Sequence, residues 1–538
     1  MKNYLFFAFL ILTISCKNLP SESKNSAAEV LVTENDFREF KVLDSKFIDN
    51  DTFWAPFNKD LKDFSEATYL ALKPLILEQN IPTLQKHIAE GKLSYEKLVL
   101  FYLYRIRKFD RENKLSLNSV ISLNPNVVKE ARQKDKQPKP SNEFSVFGMP
   151  ILLKDNINAA GMPTTAGAVA LQKNMANNAF IVKQLQNKGA LILGKANLSE
   201  WAYFFCGDCP SGYSAMGGQT LNPYGRRIFD TGGSSSGSGV AVAANFCVAA
   251  VGSETSGSIL SPSSQNSVVG LKPTVGLLSR TGIIPISSTL DTAGPITKNV
   301  VDNAIMLDAL IGFDKEDSAS FKSEQKSFSN FKNSSLKGKR FGAFKSLMED
   351  SLYMEALSKL KNAGAEIIEI EQQQINLPGF IRLLNLDMKK DLPEYLHKYA
   401  NTSIAVKSVE DVMEFNRKDS LRRAPYGQAL FKGIVADTGS AKDLEHIKDT
   451  LSTNGKLFFE SPMKTHNLDG ILSINNFHAG FASVAKYPAL TVPMGYQADG
   501  KPRGLTFIAK PFQEQSLLQW AYVYEQIAKA RKLPVNYH

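Results

Sequence analysis

Apolar residues change period several times along the chain, and each change marks an element. Between about positions 29 and 129 they recur at three- and four-residue spacing, the period of helix faces packed on a core. Ser65–Gln79 predicts one such helix, with Pro74 placed to kink or interrupt it. A second starts at Pro82, a favoured first-turn residue, and stops at Gly91. Ser94 caps a third that runs to Phe109, with Leu98, Phe101, Tyr102 and Phe109 near one face. Leu115–Pro125 predicts an extended segment. Residues 133–142, charged and holding two prolines, read as a surface connector.

From Gly148 the period shortens. Met149–Lys154 (MPILLK) and Ala190–Gly194 (ALILG) are short apolar strands, separated by the Gly161–Gly167 loop and an amphipathic helix over Ala176–Lys188 with Ile181, Val182 and Leu185 on one face. Strands alternating with helices predict an α/β fold, a sheet covered on both sides by helices. The pattern then reaches Gly232–Ser258 (GGSSSGSGVAVAANFCVAAVGSETSGS), two Gly/Ser turns around a run of small apolar residues. That run predicts a helix from about Ser236 and a strand near Val248–Gly252, because buried backbone needs regular hydrogen bonding. Residues 311–463 are Lys/Ser/Glu-rich with helical patches: Tyr353–Ala363, then Leu377–Tyr399 and Thr402–Asn416, which suit a roof over the core. Lys359–Ile370 reads as helix end, turn and strand, and Gln513–Leu533 as a closing helix.

Composition adds little to this. Of the 538 residues, 43% are hydrophobic and 22% charged, ordinary for a globular chain. The net charge of +10 is spread along the chain with no aromatic-interleaved basic patch, which argues against nucleic acid as a partner. The N-terminus changes the picture more. Lys2 followed by the apolar run Tyr4–Ile14 is a signal-peptide pattern over residues 1–15. It ends at Ser15-Cys16, as in bacterial lipoprotein signals whose cysteine is lipidated; a plain secretory signal is the alternative. Either way the expectation is an exported protein of the bacterial cell envelope or periplasm, with membrane association through a lipid anchor at Cys16. A polar tether opens the segment 16–55, a helical region covers 56–135, the core 144–310, a variable region 311–463, and a return to the core 464–538.

Candidate chemistry lies in the core. Lys154 directly follows Ile151-Leu152-Leu153, and two readings stand: a lysine snorkelling at a strand end, or a desolvated, neutral lysine able to act as a base. The backbone N–H groups of Thr255, Ser256, Gly257 and Ser258 lie in a tight turn, the arrangement that holds a developing oxyanion. Ser258 is a nucleophile if something removes its proton. His397, His446, His466 and His478 all stand in weak contexts, so a serine plus a buried lysine is the alternative to Ser–His–Asp. Cys206-Gly207-Asp208-Cys209 is either a local disulfide or half of a redox or metal site without a second half; no metal is expected. Cys247 reads as a buried small side chain. Trp201, Tyr203, Phe204 and Phe205 either line a pocket or pack beside the Cys206–Cys209 loop.

Gly232–Ser238, Gly252–Ser258 and Gly270–Gly276 (GLKPTVG) together resemble the amidase signature family, closely over 144–310 and again over Ser473–Lys510, where Asn475-Asn476 and Pro488–Pro493 look like the family's closing strands. The resemblance implies an amidase signature fold: a large central, mostly mixed, twisted β-sheet covered by helices. It implies a catalytic set of Ser258 as nucleophile, Ser234 as bridging serine after a cis Gly233–Ser234 peptide, and Lys154 as base. Gly232, Gly233, Asp230, Thr231 and Asp291 are expected in support, with turn capping as the other reading of the polar three. Trp201, Tyr203, Phe204 and Asn475 are candidate pocket residues. Ser256 and Leu260 depart from the family's frequent Gly and Arg; the N–H of residue 256 survives that change, whereas a charge near the nucleophile is lost. The triple serine, Glu254-Thr255 and Val275–Arg280 look most like the peptide amidase branch, which implies small amides or peptide amides as substrates, no cofactor and no obligate protein partner. Two other readings are a glutamine-amide hydrolysing subunit of a tRNA-dependent amidotransferase and a non-catalytic envelope binding protein on this scaffold.

Overall fold

In a computed structural model of the chain, residues 38–111, 113–325 and 327–538 are described. The expected signal segment, Cys16 and most of the tether lie outside them. Caps set the N-terminal helices. The Ser65 hydroxyl accepts the Thr68 N–H (3.1 Å) at the head of Glu66–Ile76, Asn80 accepts that of Thr83 (2.9 Å) for Ile81–Ala89, and Ser94 that of Lys97 (3.1 Å) for Tyr95–Phe109. The first helix runs through Pro74 to Ile76 rather than breaking there. Pro74 cannot donate to the Leu70 carbonyl, and that bond is lost close to the end of the helix, which stops two residues later.

Thirteen strands follow in the described residues: β1 (Val120–Leu123), β2 (Pro150–Lys154), β3 (Leu191–Ala196), β4 (Tyr213–Ser214), β5 (Gly218–Gln219), β6 (Ala249–Glu254), β7 (Val269–Lys272), β8 (Thr292–Thr297), β9 (Arg340–Phe344), β10 (Glu366–Ile370), β11 (Gly470–Ile474), β12 (Ala489–Tyr496) and β13 (Pro502–Ile508). Strands β4 and β5 form a small hairpin, and the other eleven make one sheet in the order β1-β3-β2-β6-β8-β7-β12-β13-β11-β9-β10. It is mixed: β2 runs parallel to β3 and β6, and β9 parallel to β10 and β11, whereas β8 is antiparallel to both neighbours. Helices flank it, as the α/β reading expects. Every residue of β2, β3 and β6 is buried, which is why these strands read as continuous apolar runs. The Phe180–Asn187 helix crosses from β2 to the parallel β3.

The Ser236–Ala243 helix, buried along its whole length, enters β6. Its small residues let it lie against the sheet with no polar face to solvate. The segment between β8 and β11 is not only helical: β9 and β10 extend the sheet's far edge, the long helix Ala441–Thr465 packs against β11, and the Phe380–Lys398 helix packs on Ala441–Thr465. These helices build a second hydrophobic core in which Leu383, Leu392 and Phe431 meet Trp201 and Phe205. The site lies between this roof and the ends of β2 and β6.

Candidate active site

Lys154 ends β2, and its side chain is fully buried. The three apolar residues before it are locked between β3 and β6, so the strand delivers the ammonium stem to a fixed point. Its Nζ stands 2.7 Å from Ser234 Oγ, 2.9 Å from Ser253 Oγ and 3.0 Å from the Ser253 carbonyl. Burial pushes its pKa down to about 7, although the negative charges of Asp291 and Glu254 pull the other way. Desolvation wins, because no carboxylate touches the amine. Lys154 therefore exchanges its proton near neutral pH instead of snorkelling to water.

Ser234 follows a cis Gly233–Ser234 peptide. Gly232 before it has φ +63°, and a Cβ there would meet the Ser261 carbonyl carbon at 2.7 Å, so only glycine fits. Asp230 Oδ1 accepts the Gly232 N–H (2.6 Å), and the Thr231 and Ser236 hydroxyls donate to the Gly232 carbonyl (3.0 and 2.6 Å). Asp230 and Thr231 thus shape the turn and touch none of the three central side chains. The second Gly/Ser turn closes on the first: the Ser235 N–H donates to the Ser258 carbonyl (3.1 Å), and the Ser235 hydroxyl to that of Ser253 (3.1 Å).

Glu254 organises the Ser258 turn, and the sequence reading gave it no role. One carboxylate oxygen accepts the Gly257 N–H (2.7 Å), and the other the N–H groups of Ile259 (2.7 Å) and Leu260 (3.0 Å). This corrects the expected cradle. Gly257 cannot offer its N–H to an oxyanion, because Glu254 already holds it. The N–H groups of Thr255, Ser256 and Ser258 donate to no other group among the described residues. Gly257 itself has φ +85°, with Asn476 Nδ2 packed where a Cβ would stand. The Ser258 hydroxyl has no hydrogen-bond partner among the described residues, and the residue is 9% exposed. Thr255 donates its hydroxyl to Asp291 Oδ1 (2.5 Å), and Asp291 Oδ2 accepts the Ile286 and Ser287 N–H groups (2.8 and 3.0 Å). Asp291 thereby ties the Ser258 turn to the loop before β8.

The histidines stand apart. His478 spends Nδ1 on Ser473 Oγ (2.6 Å), and burial pushes its pKa down to about 4; His397, His446 and His466 are exposed. Ser253 and Asn156 also escaped the sequence reading. Asn156 Nδ2 donates to Ser253 Oγ (2.9 Å), so these two residues and Lys154 form one network. A hydroxyl one residue before Glu254, on the strand that ends in the Ser258 turn, marks Ser253 as near the site but not as a partner of Lys154. Buried Lys195 pairs with Asp155 at 3.0 Å, fixing the residue that follows Lys154.

A cleft of about 210 Å³ opens beside this network, with Asn156, Ser253, Thr255 and Asp291 on its inner wall. None of Trp201, Tyr203, Phe204 and Asn475 lines it. Trp201 packs against Phe431 (ring centroids 5.5 Å apart, planes tilted by 52°) in the second core, where Phe204 is also buried. Tyr203 donates its hydroxyl to the Cys209 carbonyl (2.9 Å). Asn475 accepts the Gly504 N–H on its side chain (2.8 Å) and so joins β11 to β13. The neighbour of Trp201, Ala202, does reach the cleft. Cys206 and Cys209 are joined as a disulfide, and Cys247 is a buried free thiol.

The family model described as "Amidase" matches residues 97–433. A probable amidase of Arabidopsis thaliana is 35% identical over 485 residues, 85% of this chain and 92% of the plant protein. Among solved structures, an amidase family protein from Bacillus anthracis superposes with a TM-score of 0.86 at 38% identity, covering 91% of this chain and 99% of its own. The native peptide amidase from Stenotrophomonas maltophilia gives 0.80 at 37% identity, covering 85% and 98%.

Proposed function

Because the chain belongs to the amidase family, whose members hydrolyse amides, we propose that it converts a carboxamide to a carboxylate and ammonia at Ser258, with C-terminal peptide amides or related small amides as substrates. Neutral Lys154 takes the proton of the Ser234 hydroxyl, and Ser234 takes that of Ser258 as the Ser258 Oγ bonds to the amide carbon. The carbonyl π pair moves to oxygen, and the oxyanion rests on the N–H groups of Ser256 and Ser258. The relay then returns a proton to nitrogen, the C–N bond breaks, and ammonia leaves with the bonding pair. An ester on Ser258 remains. Water adds to it with the same relay as base, the C–O bond breaks, and carboxylate departs with Ser258 restored.

The observation that carries this reading is the 2.7 Å contact between a fully buried Lys154 amine and Ser234, in a turn hydrogen-bonded to the backbone of Ser258. Likeness to the Stenotrophomonas maltophilia peptide amidase supports the choice of peptide amides. We further propose that the enzyme works outside the cytoplasm, lipid-anchored through Cys16, on the strength of the signal pattern in residues 1–16. Ammonia release from a panel of peptide amides, amino-acid amides and glutamine tests the activity. Turnover of peptide or small amides is expected. Folded protein that releases nothing across the panel overturns the reading, and turnover confined to glutamine with a required partner replaces it with the amidotransferase one.

A further inference from the structure

The cleft beside the Ser258 turn has a second wall from the roof. The Phe380–Lys398 helix places Asp391 and Tyr395 on it, one helical turn apart, facing the core segment that carries Ser288 and Asp291. Its volume, about 210 Å³, is below the roughly 300–1,000 Å³ of pockets for drug-sized ligands, and matches a single side chain better than a stretch of peptide.

Its carboxylates differ in what they have left to offer. Asp291 uses both oxygens on Thr255, Ile286 and Ser287. Asp317 is held by Arg280, and Glu394 by Lys398 at 2.6 Å. Glu316 and Lys390, opposite in sign, sit exposed at the rim. Asp391 is the exception. It is 7% exposed, takes its hydrogen bonds from Ser288 (N–H at 2.6 Å), and forms no ion pair among the described residues; Asp387 adds negative potential, and Lys390 and Arg280 add positive potential without touching it. A second, separate observation comes from the opposite wall. Asn156 is 3% exposed, its Nδ2 is spent on Ser253 and the Ile284 carbonyl, and its Oδ1 has no donor among the described residues. A buried carboxylate with no cation in contact, on one wall of a small cleft whose other wall carries the polar Asn156, suits a donor-rich, positively charged group.

We propose that this cleft receives the side chain of the residue whose amide is hydrolysed, and that Asp391 selects a protonated amine there, so that lysine-like amides are preferred. The inference rests on the reading of Ser258 as the reaction site, three residues along the turn from cleft-lining Thr255. Its test compares Nα-acetyl-lysinamide with Nα-acetyl-norleucinamide, which differ at the side-chain terminus. The wild-type kcat/KM ratio is expected to favour the lysine amide by about tenfold or more, the worth of one charge-assisted hydrogen bond. Asp391→Asn should bring the ratio towards one. A wild-type ratio near one, or a ratio unchanged in a folded Asp391→Asn protein, overturns the proposal while leaving the amidase reading intact. If neither amide releases ammonia, titration calorimetry of both amides into the full-length Ser258→Ala protein decides. Tighter binding of the lysine amide that depends on Asp391 upholds the cleft assignment without the catalytic one, and equal binding rejects it.

Discussion

A neutral primary amine has two N–H donors and one lone pair, and the surroundings of Lys154 Nζ sort them. The Ser253 carbonyl is an acceptor only and takes one N–H of the amine, and Ser253 Oγ, which accepts from Asn156 with one lone pair, takes the other N–H with its second. The lone pair is then left for the Ser234 hydroxyl at 2.7 Å. This orientation gives the proposed relay its direction. With a Lys154 pKa of about 7, kcat/KM is expected to rise with pH through about 7 and level off above it, since only the deprotonated amine acts as base. Removing the Ser253 hydroxyl takes away a hydrogen bond that favours the charged form more than the neutral one, so Ser253→Ala should move this limb to lower pH. It should also lower kcat roughly tenfold, the effect of one lost bond to an ionisable group. A pH–rate profile measures both, and a limb that moves upward contradicts the orientation argument. Lys154 was legible in the sequence because a charge at the end of an apolar run drew notice, and the family resemblance then chose base over snorkelling. Ser253 was not, because nothing in the order of residues shows that its hydroxyl and carbonyl both turn towards one amine.

At the scale of elements, the Ser258 turn is held from within by Glu254, whose carboxylate accepts three backbone N–H groups. Glu254→Ala orphans all three in a buried place. A stability loss of about 2–4 kcal/mol in denaturant unfolding is expected, with activity lost alongside, and Glu254→Gln, which keeps one acceptor oxygen, should lie between. An unchanged unfolding midpoint for the alanine variant rejects this role for the carboxylate. The strands β2, β3 and β6 were readable because burial on both faces writes itself as unbroken apolar runs. Strand β9 was not: Arg340–Phe344 is five residues with a glycine at its centre, flanked by lysines, and one of its two partners, β11, lies far along the chain. The aromatic run Trp201–Phe205 misled for a related reason. Aromatic residues suit a pocket wall and a core equally well, and only the Ala429–Ala436 helix above them, with Phe431 5.5 Å from Trp201, decides for the core.

Across the whole molecule, remote parts of the chain meet at single side chains that no local pattern marks. Arg105, fully buried on an N-terminal helix, donates to the carbonyls of Ala244 (2.8 Å), Asn245 (3.0 Å) and Tyr537 (2.6 Å), and so joins the helical region, the end of the Ser236–Ala243 helix and the C-terminus. Arg105→Met leaves three buried carbonyls without their donor, and should lower stability by about 3 kcal/mol or more in denaturant unfolding; a loss under about 1 kcal/mol contradicts the tie. Beyond the described residues, the proposed anchor predicts that Cys16→Ser moves the protein from the membrane to the soluble fraction on cell fractionation, and equal partitioning of both forms rejects lipidation. Sheet order lay beyond the sequence because β8 sits between β6 and β7, and β13 between β12 and β11, and such crossings leave no trace in local periodicity. The account as a whole depends on Ser258 as the nucleophile. Ammonia release from a C-terminal peptide amide by the wild-type and Ser258→Ala proteins tests it most directly. The account predicts a loss of roughly 10⁴-fold or more, the scale on which a serine hydrolase loses its nucleophile, with the unfolding midpoint preserved. Turnover by the folded alanine variant within about tenfold of wild type would contradict it.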